Sequence, residues 1–168
     1  MPEVTNSRDL FLHELGDILY VEEKLANEVL PKLIDEVEDT EFKKGLEKHL
    51  RQTRGHVQKV NRVFKQLGEE AKTEQCIGFD GLKHEHEELA GESSEALVDL
   101  VAAGAAARTE HYEIAAYEGL RRMAKSLGED KAVDLLDEIL KQEKEALREV
   151  DKITTRLNNQ RAKEFAIR

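Results

Sequence analysis

The sequence lacks the features that mark several common classes of protein. It has no tryptophan, two prolines and a single cysteine, Cys76, so an internal disulfide framework is excluded and a reducing compartment is favoured. No apolar run approaches the roughly 18 residues that a membrane span requires. Residues 1–9 contain no apolar core of a signal peptide, and no glycine-rich phosphate-binding loop is present. We therefore expect a cytoplasmic protein that neither crosses a membrane nor binds nucleotides through such a loop.

The residues that are present favour an all-α protein. Alanine, leucine, glutamate and lysine are abundant, only 5% of the residues are aromatic, and charged residues make up 37%. The formal net charge of −10 argues against nucleic acid as a general partner. A length of 168 residues fits one domain, here taken as 1–168, that is long enough to bury a core.

Apolar residues that recur with a helical period predict four long helices. The first begins at Asn6 or Ser7 and is kinked or broken near Leu30, because Pro31 cannot continue a helix. Capping residues and glycines predict the other boundaries. The second helix runs from Asp39 or Thr40 to Leu67, and the third from Ser93 or Ser94 to Gly128. The fourth runs from Glu129 to the 150s and is followed by a frayed tail at residues 158–168.

The long connection at residues 68–92 decides the predicted topology. Glycines punctuate it, and residues 81–90 have the character of a short helix. A connection of this length carries the chain from one end of a long helix back to the other, which favours a crossover over a tight hairpin. The sequence therefore predicts an antiparallel four-helix bundle of the ferritin-like type, with a crossover between the second and third helices.

Polar residues occupy the predicted inward faces of the helices. On the third helix Glu113 lies at the centre of the apolar face, with Glu110 and Tyr117 at its edge. Glu143 has the central position on the fourth helix. The remaining inward polar residues are His49, Thr53 and His56 on the second helix, and either Glu22 or Glu23 on the first, where periodicity places Glu22 nearer the centre of the face without deciding between them.

Buried carboxylates must be protonated, paired or bound to a metal. Oxygen-rich sites with one or two imidazoles suit iron or manganese. A purely structural network, in which histidine and tyrosine hydrogen-bond the acids, is the alternative. A complete di-iron set contains two Glu-x-x-His motifs, and neither occurs in this sequence.

Several motifs occur together along the chain. They are Leu19-Tyr20-x-x-Glu23-Lys24 followed by Pro31-Lys32, His49-Leu50-x-x-Thr53, Cys76-x4-Gly81-Leu82, Glu110-His111-Tyr112-Glu113-Ile114-Ala115-x-Tyr117, and Glu143-Lys144. Together these motifs resemble the YciE/YciF family of ferritin-like, rubrerythrin-related bacterial stress proteins. The resemblance covers about residues 8–150.

The resemblance implies a four-helix bundle, commonly dimeric, with a di-metal centre. It places the acid of the first helix at Glu23 and so gives the candidate ligands Glu23, His56, Glu110, Glu113 and Glu143. Gln52 and Leu147 stand where the family often has acids, which weakens the second metal position.

Two functional hypotheses follow. The first is a metalloprotein of the stress response that holds one or two iron or manganese ions and handles peroxide, oxygen or iron, with a small-molecule substrate that the sequence does not identify. The second is a non-enzymatic stress or scaffold protein with a degenerate metal site. Ile18, Leu25 and Leu135 are expected on outer helix faces, and such exposed apolar residues favour a homodimer.

Overall fold

The computed structural model describes residues 4–166, which form a bundle of long helices. Within that range there is no β-strand. The elements are α1 (Ser7–Lys24), a π-helical turn (Leu25–Val29), α2 (Leu30–Glu36), α3 (Thr40–Gln66), α4 (Ile77–Glu92), a 3-10 turn (Glu95–Leu97), α5 (Val98–Leu127) and α6 (Asp130–Ala166).

The predicted capping residues lie at the starts and ends of the helices, as the sequence indicates. The Asn6 side chain accepts hydrogen bonds from the backbone N–H groups of Arg8 and Asp9 at the start of α1. The Asp39 side chain accepts one from Phe42 N at the start of α3. Gly128 closes α5 with φ of 76°, a left-handed conformation that glycine adopts without strain.

The predicted irregularity near Pro31 is a π-helical turn. Proline has no N–H to donate to the preceding turn, so a regular helix loses a hydrogen bond there. The chain inserts one extra residue just before Pro31, and the N–H of Leu30 donates to the carbonyl of Leu25, five residues earlier. Segments α1 and α2 thus form one interrupted bundle helix.

Contacts at the two ends of the bundle define its topology. At one end, Arg8 near the start of α1 donates to the carbonyl of Leu67 after α3. At the other end, Arg156 of α6 pairs with Asp39 before α3, and Asp99 at the start of α5 accepts from Glu38 N. The order is therefore α1/α2 up, α3 down, α5 down and α6 up, so neighbouring helices are antiparallel as predicted.

The crossover returns along the outside of the bundle. Its extended part runs against Gly16 of α1, where Glu74 N donates to Gly16 O at 3.0 Å. A Cβ at position 16 would lie 2.7 Å from Lys72 O, so the close approach requires glycine. The helix α4 follows, is six residues longer than the predicted span of 81–90, and packs mainly on α5.

Two expectations about the surface and the tail need correction. Ile18, Leu25 and Leu135 are buried within the single chain, so they do not form an exposed dimer surface. The tail is helical as far as Ala166 instead of fraying from Asn158, and residues 167–168 lie outside the described part of the chain. Among the described residues, no helix combines the length and apolar character needed to cross a membrane.

Candidate metal centre

The histidines of the centre come from one face of α3. His49, Thr53 and His56 are spaced by four and then three residues, which places them on the same side of the helix. All three are buried in the bundle. The Thr53 hydroxyl donates to the carbonyl of His49 at 3.1 Å and so has its partner within the helix. Both imidazoles therefore face the carboxylates of the other helices.

The buried acids and imidazoles form two overlapping groups. One contains His49, Glu110, Glu113 and Glu143, and in this group the nearest ligand atoms lie within 4.8 Å of one another. Glu22, His56 and Glu143 form the other by the same distance. Glu143 belongs to both groups, so it could be a ligand in either one.

The ring of His56 is held from both sides. Its Nε2 lies 2.8 Å from Oε1 of Gln142, which accepts a hydrogen bond when Nε2 carries the proton. Its Nδ1 lies 2.8 Å from Glu143 Oε1 and 3.3 Å from Glu22 Oε1. Neither contact of Nδ1 has hydrogen-bond geometry. In the neutral ring, Gln142 thus leaves the lone pair of Nδ1 directed at the carboxylates.

Glu22 is the inward acid of α1, whereas the predicted ligand Glu23 lies outside both groups. Glu22 is fully buried, and its Oε1 accepts a hydrogen bond from the buried Tyr117 hydroxyl. Glu23 is half-buried and belongs to neither group. The helical period favours Glu22 and the family motif points to Glu23, one residue and about 100° further around the helix.

His49 is a further group member that the predicted ligand set did not include. Its Nε2 lies 3.3 Å from Glu110 Oε1, at the end of the centre opposite to His56. Its position on the inward face of α3 was visible in the sequence, but no Glu-x-x-His pattern marked it as a ligand. The other predicted members, His56, Glu110, Glu113 and Glu143, all lie in the two groups. Gln52 and Leu147 are half-buried and belong to neither.

The carboxylates have an unusual shortage of hydrogen-bond donors. Neither oxygen of Glu113 has a partner, and neither oxygen of Glu143 has one. One oxygen each of Glu22 and Glu110 is also without a partner. A buried polar group left in this state costs about 1–3 kcal/mol, and more when it is charged. These buried carboxylates therefore require cations, either protons or metal ions, to neutralise their charge.

The pKa values of the acids describe the metal-free state. Burial raises the pKa of Glu113 and of Glu110, and the charge of Glu143 raises both further. Burial also raises the pKa of Glu22 by more than the charge of His56 lowers it. For Glu143, burial acts upward, but opposing effects, of which the contact with His56 is the largest, outweigh it and lower the pKa.

The two histidines shift in opposite directions. Burial lowers the pKa of His49, which favours the neutral ring. Burial also acts to lower the pKa of His56, but the charge of Glu22 and the contact with Glu143 prevail and raise it to about 10. Four carboxylates thus face one imidazolium, so the metal-free centre is neutral only if some acids bind protons.

This set of donors fits iron or manganese. Four carboxylates and two imidazoles are hard and intermediate ligands, which divalent iron and manganese accept, and no thiolate contributes. The free oxygens without partners supply the coordination sites that such an ion needs. The buried His/Glu groups could therefore hold a metal ion.

Comparisons with known proteins agree with the bundle and its motifs. A family model described as a domain of unknown function, DUF892, matches residues 6–163. The chain belongs to the DUF892 family. Protein YciF of Escherichia coli strain K12 is 33% identical over 138 residues, which cover 81% of this chain and 82% of YciF. The resemblance to YciF-type stress proteins is thereby confirmed.

Solved structures of other proteins have the same fold. YcfI of Rhodopseudomonas palustris is 34% identical and superimposes with a TM-score of 0.86, covering 89% of this chain and 96% of its own. The E. coli stress protein YciF is 30% identical, also with a TM-score of 0.86, covering 92% of this chain and 98% of its own. A protein of Xanthomonas campestris is 20% identical with a TM-score of 0.75 and supports the fold alone.

Proposed function

We propose that this DUF892 chain is a ferritin-like metalloprotein of the stress response. It binds one or two iron or manganese ions between its four bundle helices and handles oxygen, peroxide or iron. The proposed ligands are Glu22, His49, His56, Glu110, Glu113 and Glu143, with Glu143 shared between two positions.

One observation carries the proposal. Six carboxylate oxygens of the centre are buried without a hydrogen-bond partner, and they converge with two imidazoles from another helix. A structural network of the kind that satisfies buried acids would supply donors to these oxygens. For Glu113 the described residues supply none. Cation binding explains this arrangement better than internal hydrogen bonding does.

The residues around the ligands suit redox chemistry. Bound iron or manganese would supply one-electron exchange with oxygen or peroxide. Gln142 fixes the orientation of His56, and Tyr117 does the same for Glu22 through its hydroxyl. Apolar side chains around the cluster exclude water, which strengthens every electrostatic interaction within it.

A structural role is the second candidate. Each half of the bundle keeps only part of the Glu-x-x-His motif of di-iron bundles, since α3 has Thr53-x-x-His56 and α6 has Glu143-x-x-Ala146. YcfI, one of the similar solved structures, has itself been described with a proposed structural role. A chain that kept the bundle and lost the metal would show such incomplete motifs.

Metal analysis of protein purified without chelator distinguishes the two roles. We expect one or two iron or manganese ions per chain, either as purified or after anaerobic addition of Fe(II) or Mn(II). Glu143→Gln should lose all specific binding because Glu143 belongs to both groups. Glu145→Gln, on the same helix but outside the groups, is the matched control. A stoichiometry near zero in the wild type would establish the structural role.

We also propose a cytoplasmic homodimer, as the resemblance to the family implies. Ile18, Leu25 and Leu135 are buried and cannot form a dimer surface, so the proposal rests on the family resemblance alone. Size-exclusion chromatography with light scattering at micromolar concentration should give twice the chain mass of 19.1 kDa. A mass of one chain would refute the dimer without affecting the metal centre.

A further inference from the structure

A partly enclosed cavity of about 60 Å³ lies beside the metal centre. Side chains from α2, α3, α4, α5, α6 and the π-helical turn line it, and its walls are mostly apolar. The α4 helix contributes Phe79 and Leu82 to these walls, so the crossover covers the cavity. Lys83 and His86 of α4 are the partly exposed polar residues on the same side.

The cavity exists because small residues line it where larger ones would fill the space. Gly45 of α3, Ala105 and Ala106 of α5, and Ala146 of α6 all lie along its walls. A Cβ at Gly45 would meet only Ile153 Cδ1, at 3.7 Å, which is ordinary van der Waals contact. A larger side chain would therefore fit at this position, but the sequence has glycine there and leaves the space empty of side-chain atoms.

Two members of the metal centre form part of the cavity wall. His49 and Glu110 line the cavity and also belong to one of the two ligand groups. Both side chains are at least nine-tenths buried, and Glu110 Oε2 and His49 Nδ1 have no hydrogen-bond partner. The apolar space thus leads directly to polar atoms that are free to contact another molecule or an ion.

We infer that this cavity binds a small, uncharged, apolar molecule next to the His49 and Glu110 end of the centre. A volume of about 60 Å³ is several times the roughly 10–15 Å³ that one water molecule needs, so the cavity admits a molecule of a few non-hydrogen atoms. Apolar walls favour such a molecule over water, since a dry apolar cavity gives water too few partners. Dioxygen belongs to this class, whereas hydrogen peroxide would find its hydrogen-bond partners mainly at the His49 and Glu110 end and not along the apolar walls.

This inference deepens the proposed function, because it selects dioxygen over peroxide as the reactant that this side of the centre admits. It concerns binding alone, and it holds for the metal-free protein as well. Failure to bind metal would therefore overturn the proposed function and leave the cavity assignment intact. Failure to bind an apolar molecule would overturn the cavity assignment and leave the proposed metal binding intact.

The first experiment uses xenon and dioxygen on chelator-treated wild-type protein. Crystals under xenon pressure should show one xenon atom between Ala106 and Glu110, detected by anomalous scattering. In solution, dioxygen is paramagnetic, so raised oxygen pressure should selectively broaden the methyl resonances of cavity-lining residues such as Leu25, Leu33 and Ala106. Absence of xenon from the cavity, or uniform broadening across the core, would overturn the inference.

Two variants and a control locate the effect. Ala106 lies one turn before Glu110, so Ala106→Leu places three additional carbon atoms in the cavity and should abolish xenon binding there. Gly45→Ala, which fits without a clash, should weaken it and provides a second test if the first variant does not fold. Ala115→Leu, exposed on the same α5 helix, should leave binding unchanged. Equal xenon binding in all folded variants would show that the gas sits elsewhere.

Discussion

Glu113 shows most directly what the metal centre requires of a single residue. It is fully buried on α5, and neither of its oxygens accepts a hydrogen bond from a described residue. Burial raises its pKa, and the charges of Glu143, Glu22 and Glu110 act in the same direction. The side chain therefore contributes little to the stability of the metal-free protein, and its value lies in what it binds.

The first prediction is that Glu113→Ala removes stabilisation by metal without destabilising the metal-free protein. Relief of buried charge should offset the small cavity, so the free energy of unfolding with chelator should change by less than about 1 kcal/mol or rise. Wild type at a hundredfold excess of metal over the dissociation constant should gain about 2.7 kcal/mol, and the mutant should gain almost none. Urea unfolding with chelator and with Fe(II) or Mn(II) measures both effects.

Glu113→Gln, which keeps the size of the side chain, is the control for this variant. It should also lose the stabilisation by metal, because an amide is a poorer ligand than a carboxylate. An equal loss of stability in Glu113→Ala with and without metal would instead make Glu113 a structural hub and would contradict its assignment as a ligand.

The second prediction concerns Gln142, which supports a ligand without being one. Gln142→Met removes the acceptor for His56 Nε2 and leaves the ring free to change its tautomer and orientation. Loss of such a partner typically reduces metal affinity about 10–100-fold. Competition with a metal indicator measures the change, and Lys141→Met on the exposed neighbouring position serves as control. Unchanged affinity in Gln142→Met would show that His56 does not bind the metal through Nδ1.

The helical period in the sequence predicted most of the buried polar residues that the structure brings together. Glu110, Glu113 and Glu143 were found because a carboxylate in an apolar stripe is conspicuous. The family motif selected Glu23 where periodicity favoured Glu22, and a difference of one residue turns a side chain by about 100° around the helix. His49 was not among the predicted ligands because its contact with Glu110 joins positions 61 residues apart, and no local pattern encodes that contact.

At the scale of helices, one aspartate at the start of α3 connects α3 to α6. Asp39 caps α3 by accepting from Phe42 N, and its two oxygens also accept from both terminal nitrogens of Arg156 on α6. The Arg156 side chain is the largest cause that lowers the Asp39 pKa below its ordinary value of 3.8. One carboxylate thus fixes the register of α6 against the α2–α3 connection.

The third prediction follows from the sign of that shift. A lowered pKa means that the ionised Asp39 stabilises the folded state above about pH 4, and that this contribution disappears as the pH falls through the folded-state pKa. Asparagine keeps the helix cap but not the charge. Asp39→Asn should therefore reduce the free energy of unfolding by about 1 kcal/mol at pH 7 and hardly at all at pH 2.

Denaturant unfolding across this pH range tests the charge pairing. Asp35→Asn changes an exposed aspartate of α2 without a described partner and should show no such pH-dependent difference. A loss in Asp39→Asn that is the same at both pH values would attribute the effect to the cap geometry instead of the pair with Arg156.

Element boundaries were predictable because local chemistry determines them. Asn6, Asp39 and Gly128 act through bonds within a few residues, so their roles can be inferred without the fold. The burial of Ile18 and Leu25 could not be inferred in this way. Periodicity assumes that each helix buries only one face. The crossover, however, contacts α1 at Gly16 and covers the outer side of that helix as well.

For the whole molecule, the centre links every helix of the bundle. The proposed ligands come from α1, α3, α5 and α6, whereas α4 supplies none among the described residues. Without metal, four carboxylates at the middle of these helices oppose their association. With metal, the same carboxylates hold the helices together, so binding free energy becomes free energy of folding for the bundle as a unit.

The fourth prediction is that metal slows amide hydrogen exchange in all four bundle helices together. Amides that exchange only through global unfolding should slow by about 100-fold at a hundredfold excess of metal over its dissociation constant. Amides of α4, which can open locally without breaking the centre, should slow much less. Glu143→Gln should show no slowing in any helix, because it removes the carboxylate shared by both groups. Slowing confined to one helix would mean that the ion binds at the surface, and that the buried carboxylates are neutralised by protons alone.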